Sequence, residues 1–304
     1  MSIDLGRVTC IIVLAMVMRR LEAQPPAVQQ PSPMVEGTRA HERLSPRTLA
    51  GRVDSLAGPL DRQLLVRIPD RLASDRAFDL IVHFHGAAWL AQQAMASAAP
   101  RAVGVVVNLG AGSALYDRAF ADPGTFDSLL ATVTRAVAAT TGRPAAIRRV
   151  TVVGYSAGHG AIRAILRSPR HVATVDAVLL IDGLHTSYRP EGRVAADGGA
   201  LDTTTLHPIA DFARAAMRGE KRMLLTHSEI FPGTFASTTE TTDWVLNAVG
   251  VARRPVLRWG PRGMQQLSEA GAGHFAVRGF AGNAAPDHVD QLHAMPELLR
   301  ALLR

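Results

Sequence analysis

Short apolar runs alternate with helical stretches along most of this chain. The apolar runs, several of which are rich in β-branched residues, cover residues 79–86, 103–109, 149–154, 177–182 and 222–227. Helical spacing separates and follows them, at residues 126–140, 157–166, 239–249 and 289–303. Continuously apolar strands separated by helices are typical of a sheet that is buried on both sides. We therefore predict an α/β fold with a mostly parallel central sheet and helices on both faces.

Two weaker runs flank this pattern. Residues 63–69 end in a proline and predict an edge strand, and residues 255–259 predict a last short strand. In open α/β sheets, ligands bind at the carboxyl ends of the strands. The long segments 110–126 and 184–211 follow strands, and we expect them to cover that end of the sheet.

The N-terminus has the pattern of an export signal. Residues 8–18 are apolar and lie between Arg7 and the pair Arg19 and Arg20. The stretch is shorter than the roughly twenty residues that a membrane-spanning helix needs. Residues 1–23 therefore predict a signal peptide that is cleaved after Ala23, with a short uncleaved anchor as the alternative. We expect a secreted or periplasmic protein with no stable membrane insertion after cleavage.

Composition bounds the rest of the chain. Residues 24–37 are rich in Pro, Gln and Ser and predict a linker, which leaves residues 38–304 as one domain. The net charge is +7, but the basic residues are scattered, so a nucleic-acid partner is not expected. The single cysteine, Cys10, lies in the predicted signal peptide. The mature chain would then have neither a disulfide nor thiol chemistry.

The pentapeptide Gly154-Tyr155-Ser156-Ala157-Gly158 joins a β-branched run to an alanine-rich helical stretch. A sharp turn from strand to helix needs small residues on both sides of its serine, and it lifts the serine above the sheet. The helix that follows would stabilise negative charge beside the hydroxyl. Ser156 is thus a candidate nucleophile. The alternative is an ordinary turn in which the serine only caps the helix.

A second motif, His83-Phe84-His85-Gly86-Ala87, ends an earlier apolar run. With this motif, the chain resembles the α/β-hydrolase superfamily, in particular its esterases and lipases, from about residue 63 to the C-terminus. The resemblance implies an oxyanion hole made by the backbone N–H groups of Ala87 and Ala157. We expect His85, at the end of its strand, to shape that loop and not to transfer a proton.

The resemblance also implies the chain order serine, acid, histidine. His288 precedes the last helical stretch and is the preferred base, with His274 as the alternative; His293 would be a surface residue. Asp182 ends an apolar run, where a carboxylate needs a partner, and is the preferred acid. Glu229 is the alternative acid. Asp243 and Asp287 stay open.

The expected activity is hydrolysis of a small-molecule carboxylic ester through an acyl-enzyme, with no metal and no organic cofactor. A peptidase, thioesterase or acyltransferase would use the same groups. A binding protein that has lost its catalytic residues is the alternative from another class.

Overall fold

A computed structural model of the protein describes residues 41–72 and 76–304. The predicted signal peptide, the linker and Cys10 lie outside the described residues. Within the described ranges, no helix is long and apolar enough to span a membrane.

The described residues form twelve strands and nine helices. The strands are β1 (Arg52–Leu56), β2 (Leu64–Ile68), β3 (Ala77–Phe84), β4 (Val103–Val107), β5 (Ala146–Tyr155), β6 (Val175–Ile181), β7 (Tyr188–Arg189), β8 (Ala200–Leu201), β9 (Arg222–His227), β10 (Arg254–Trp259), β11 (Gln265–Ala272) and β12 (Phe275–Phe280). The helices are α1 (Ala88–Ala98), α2 (Ser113–Ala119), α3 (Pro123–Thr141), α4 (His159–Leu166), α5 (Pro169–Thr174), α6 (His207–Met217), α7 (Thr238–Val249), α8 (Ala285–His293) and α9 (Met295–Leu303).

Ten of these strands form one sheet in the order β1-β2-β4-β3-β5-β6-β9-β12-β11-β10. The six strands from β4 to β12 in that order run parallel to one another. Antiparallel strands complete both edges, with β1 and β2 on one side and β11 and β10 on the other. The predicted mostly parallel sheet is confirmed. The prediction of an edge strand at residues 63–69 is wrong, because β1 pairs with β2 and covers its outer side.

Alternate residues of the strands enter separate cores on the two faces of the sheet. In β3, Leu80 and Val82 join the core beneath α3, α4, α6 and α7, whereas Ile81 joins the core beneath α1, α8 and α9. All three side chains are at most 2% exposed. Helices on both faces therefore explain why these strands read as continuous apolar runs.

Local signals set several helix ends. Asp122 accepts a hydrogen bond from Gly124 N (2.9 Å) at the start of α3, and Gly142 ends that helix in a left-handed conformation. Ser237 and Glu240 form a reciprocal capping box at the start of α7. The last predicted helix is two helices, because the chain turns at Ala294 before Pro296 opens α9.

Candidate active site

Ser156 lies at the carboxyl end of β5, in a tight turn that leads to α4. Its φ is +47°, in the left-handed region that side chains seldom adopt. The flanking glycines are required by close contacts: a Cβ at position 158 would lie 2.1 Å from the Phe84 carbonyl oxygen, and one at position 154 would lie 3.0 Å from Ile162 Cδ1. A single 3₁₀ turn from Ser156 to Gly158 precedes α4, so regular helix begins at His159 and not at Ala157 as predicted.

Asp182 follows β6, the next strand of the sheet, and also has a positive φ (+40°). Gly183 then passes directly beside the serine turn, since a Cβ there would lie 2.5 Å from Ser156 N. Two unusual turns on neighbouring strands are thus in van der Waals contact. A strained positive φ persists only where the packing of the surrounding structure holds it. Such residues are concentrated at functional sites.

The Asp182 carboxylate is 2% exposed and fully hydrogen-bonded. Its Oδ1 accepts from Ser228 N (2.8 Å), Ser228 Oγ (3.0 Å) and Thr238 Oγ1 (2.8 Å). Burial alone would raise the pKa of Asp182, but the hydrogen bond and charge of His288 and the donors of Ser228 outweigh burial and lower this pKa. Asp182 is therefore a carboxylate at neutral pH.

His288 is the partner of the other carboxylate oxygen. Its Nδ1 lies 2.7 Å from Asp182 Oδ2, so Nδ1–H donates to the carboxylate and Nε2 is left as an acceptor in the neutral ring. The ring stacks on Tyr155 (centroids 4.6 Å apart, planes at 26°), whose hydroxyl donates to the His288 carbonyl oxygen (3.2 Å). His288 lies in the first turn of α8 and not in a loop before the helix, because that helix begins at Ala285.

The other candidate histidines lie elsewhere. His274 is exposed in the turn between β11 and β12, and its carbonyl oxygen accepts from Met223 N at the amino end of β9. It is thus at the opposite end of the sheet from Ser156. His293 is 7% exposed, and its Nδ1 accepts from Leu44 N (2.9 Å). The prediction that His293 is a surface residue is wrong, because residues 41–47 pack over α8.

The alternative acids are also occupied elsewhere or exposed. Glu229 is exposed, although it follows β9 as the sequence indicates. Asp243 lies on α7 and pairs with Arg253. Asp287 is buried and accepts from Ala284 N (3.1 Å) at the start of α8. Of the predicted carboxylates, Asp182 is the one that the structure places beside His288.

The His-Gly loop adopts a strained conformation at the end of β3. His85 has φ +72° and Gly86 φ +107°. His85 Nδ1 lies 3.0 Å from the hydroxyl of Tyr116, on α2, while Asn108 Nδ2 donates to the Gly86 carbonyl oxygen (2.9 Å). Two separate elements thus hold this loop in place.

The two predicted oxyanion donors both lie at helix starts. Ala87 immediately precedes α1, and Ala157 lies in the turn that opens into α4. The first N–H groups of a helix have no acceptor within it and carry a partial positive charge. Both amides are therefore suited to bind an anion.

Two cavities meet at Ser156. The smaller cavity, about 290 Å³, is bordered by His288 and by the apolar residues Ile230, Pro232 and Ala285. The larger cavity, about 550 Å³, is bordered by residues from segments 112–114, 156–163, 185–187 and 202–205. His185 and Phe235 stand between them and border both. The segments expected to cover the site therefore line it.

Sequence reasoning did not name Tyr155, Ser228 or Thr238 as parts of the site. Tyr155 is a variable position of the pentapeptide, and its stacking on His288 depends on α8, which lies 130 residues later in the chain. Thr238 belongs to a threonine-rich run at residues 234–242, which was the available signal. That run serves twice, because Thr238 binds Asp182 and Ser237 caps α7.

One cluster in the described residues brings metal-ligand types together. Ligand atoms of His41, Asp287 and Asp290 all lie within 4.8 Å of one another. Asp290 pairs with His41 Nδ1 (2.5 Å) and Arg43 Nε (2.9 Å), and Asp287 caps the start of α8. These interactions explain the cluster as a contact between residues 41–43 and α8.

No protein-family profile and no curated protein sequence matches the chain. Solved structures do. The enterobactin esterase FES of Shigella flexneri has a TM-score of 0.51 at 11% identity, over 85% of this chain and 62% of that one. A puromycin-hydrolyzing peptidase of Mycobacterium tuberculosis has a TM-score of 0.40 at 16% identity, over 81% and 39%. The chain thus spans less than two thirds of either protein. At these identities the likeness establishes the fold alone.

Proposed function

The chain has the α/β-hydrolase fold, and from this premise we propose that it is a serine hydrolase that cleaves a carboxylic ester through an acyl-enzyme. The observation that carries the proposal is the pair of Asp182 and His288, whose imidazole borders the same cavity as Ser156. Alcohol, imidazole and carboxylate are the three groups that nucleophilic acyl transfer uses. The strained turn at Ser156, with a helix start directly behind it, supports the same role.

In this proposal, His288 acts as the general base. Because Asp182 holds the Nδ1–H tautomer, Nε2 is available to take the proton of the Ser156 hydroxyl as its oxygen attacks the ester carbonyl. Asp182 then stabilises the imidazolium. The N–H groups of Ala87 and Ala157 would bind the oxyanion that develops on the carbonyl oxygen.

The same imidazolium next serves as the acid. It gives its proton to the oxygen of the departing alcohol, and the acyl group stays on Ser156 until water, activated by His288, hydrolyses it. None of these steps uses a metal or an organic cofactor. We propose a small-molecule ester as substrate. Export is also proposed, from residues 1–23 of the sequence alone.

A serine-directed probe tests this proposal most directly. An alkyl fluorophosphonate is expected to label Ser156, and mass spectrometry of the digested protein would locate the adduct. Ser156→Ala should abolish labelling and lower hydrolysis of p-nitrophenyl butyrate by about 10³-fold or more. His274→Gln, at the far end of the sheet, is the control that keeps both. Labelling of another residue, or an active Ser156→Ala variant, would overturn the assignment.

A further inference from the structure

The position of His288 distinguishes the two cavities. During acylation, a bond forms between Ser156 Oγ and the acyl carbon, the ester C–O bond breaks, and the serine proton passes through His288 to the alcohol oxygen. The departing alcohol must therefore lie on the side of His288. That residue borders the smaller cavity and is not among the residues around the larger one. The alcohol part thus belongs in the smaller cavity, and the acyl chain belongs in the larger one.

His159, which borders the larger cavity, carries a buried acceptor. Its Nδ1 lies 2.8 Å from the Ser156 carbonyl oxygen. A carbonyl only accepts, so Nδ1 carries the hydrogen and Nε2 has a lone pair. His159 is 2% exposed, and its Nε2 is buried with no hydrogen-bond partner in the described part of the chain. A buried polar atom without a partner is costly, which makes it a marker of a missing ligand group.

His185 repeats this arrangement at the boundary of the two cavities. Its Nδ1 lies 2.8 Å from the Ala236 carbonyl oxygen, so here too Nδ1–H donates and Nε2 is the acceptor. The two rings are in edge contact, with centroids 5.5 Å apart. Both residues border the larger cavity, and the Nε2 atom of each ring complements a hydrogen-bond donor.

Both rings are neutral near pH 7. Burial lowers the pKa of His159 to about 3, and it lowers the pKa of His185 as well. For each ring, the charge of its histidine neighbours acts in the same direction. A neutral imidazole with Nδ1–H engaged can offer Nε2 only as an acceptor.

The charged groups around the larger cavity already have partners. Arg163 donates to Asp117 (2.7 Å), and Asp202 pairs with Arg189 (2.7 Å). The remaining polar groups are hydroxyls, among them those of Ser113, Thr186 and Thr205. Such a lining favours a neutral, hydroxyl-bearing chain over an anion or a cation.

We propose that the larger cavity binds a hydroxylated acyl chain, with its hydroxyl hydrogens donated to Nε2 of His159 and His185. The preferred substrates are then esters of hydroxy acids with apolar alcohols. This proposal rests on the proposed hydrolase function and names its substrate class.

Isosteric substrate pairs test it. Each pair shares a p-nitrophenol leaving group and differs by a hydroxyl or a methyl at one carbon, as in 3-hydroxybutanoate and 3-methylbutanoate. Further pairs move the substituent to positions 4 and 5 of longer chains. The readout is the ratio of kcat/KM within a pair, corrected for the ratio of the hydroxide-catalysed rates. At the best position, the protein is expected to prefer the hydroxyl by at least about tenfold.

Two substitutions of each histidine separate the acceptor from the rest of the ring. His159→Asn and His185→Asn keep an amide N–H near the Nδ1 position and remove the acceptor at Nε2. His159→Gln and His185→Gln place an amide oxygen near Nε2 and lose the Nδ1 donor. Each Asn variant should lower the hydroxyl preference about fivefold or more, and each Gln variant should retain most of it. Since both substrates of a pair are assayed with the same protein sample, partial misfolding of a variant cancels in the ratio of kcat/KM.

The outcomes separate this inference from the function beneath it. If Ser156 is labelled and both esters are cleaved with equal kcat/KM, the hydrolase assignment stands and the hydroxy-acid inference fails. It also fails if the Asn variants keep the full preference. If neither ester is cleaved and Ser156 is not labelled, the proposed function itself fails. His274→Gln should leave the ratio unchanged.

Discussion

Helix α8 carries two pairs of an imidazole and a carboxylate that face opposite ways. On one side, His288 of the helix pairs with Asp182, and on the other, Asp290 of the helix pairs with His41. The exposures match closely: the imidazoles are 24% and 26% exposed, and the carboxylates 2% and 0%. Burial therefore does not distinguish the two pairs.

The other hydrogen-bond partners of the two carboxylates do distinguish the pairs. The second oxygen of Asp182 is held by the neutral donors Ser228 and Thr238, whereas Asp290 also pairs with Arg43. Neutral donors fix a carboxylate without competing for its charge, so His288 is the nearest group that the charge can stabilise as a cation. An arginine already neutralises Asp290, and that pair fastens residues 41–43 to the helix. In the proposed mechanism, the pair of Asp182 and His288 polarises the imidazole, whereas the pair of Asp290 and His41 attaches residues 41–43 to the helix.

Breaking the first pair should have the largest effect. Asp182→Asn removes the charge and favours the wrong tautomer of His288, so kcat/KM for p-nitrophenyl butyrate should fall by about 10³- to 10⁴-fold. Steady-state kinetics and the rate of fluorophosphonate labelling would measure it. A loss below tenfold would show that Asp182 is not the orienting acid.

Buried imidazoles that have no carboxylate partner among the described residues should make the protein less stable in acid. Burial lowers the pKa of His83 to about 4, of His159 to about 3 and of His227 to about 4. The unfolded chain takes up these protons first, so stability is complete above about pH 6.5 and falls with pH toward these values. From pH 6.5 to 5.5, each histidine should lower the free energy of unfolding by about 1 kcal/mol, or roughly 3 kcal/mol together. Urea melts at both pH values test this, and equal midpoints would contradict it.

Breaking the pair of Asp290 and His41 should lower stability with little effect on catalytic activity. Asp290→Asn leaves Arg43 and His41 without their buried anion and should lower the free energy of unfolding by about 3 kcal/mol. Activity per folded molecule should stay within about threefold, since Asp290 does not contact the site. Asp211→Asn, in an exposed pair with Arg214, is the matched control and should cost less than about 1 kcal/mol. A large loss of kcat without a loss of stability would refute the contrast between the pairs.

Removing one neutral donor from Asp182 should have the smallest effect. Thr238→Val keeps the branched shape but deletes a 2.8 Å hydrogen bond, so kcat/KM should fall by about three- to tenfold. Thr134→Val is the control, because that hydroxyl donates to Leu130 O within α3, away from the site. Equal kinetics in the two variants would mean that Thr238 does not help to hold the acid.

Much of the sheet could be predicted because the sequences of buried parallel strands are continuous apolar runs. β3, β4, β5, β6 and β9 all carry that signal. β12 lies inside the sheet next to β9 but was not predicted. Its sequence contains Arg278 and Gly279 and follows the glycines of residues 271–273, which indicate a loop. β1 mixes polar and apolar residues at an edge of the sheet and was missed for a similar reason.

The site could be predicted only where its residues lie at strand ends or helix starts that the sequence pattern indicates. Ser156 stands between two obligatory glycines, and Asp182 is a charge at the end of an apolar run. The distance of 2.7 Å between Asp182 and His288 depends on how α8 packs over the sheet, which no local pattern encodes. The occupied second face of α8 was also hidden, because residues 41–47 have no periodic signal of their own.

The contact between the turns after β5 and β6 bears on how such a protein can change. Because Gly183 leaves no room for even a methyl group beside Ser156 N, neither turn can be altered without moving the other. Evolution and protein engineering alike must leave this junction intact and vary the walls of the cavities. New substrate preferences should thus arise in residues 184–206 and 229–236, which contribute to the cavity walls, while the two turns are inherited as a single unit.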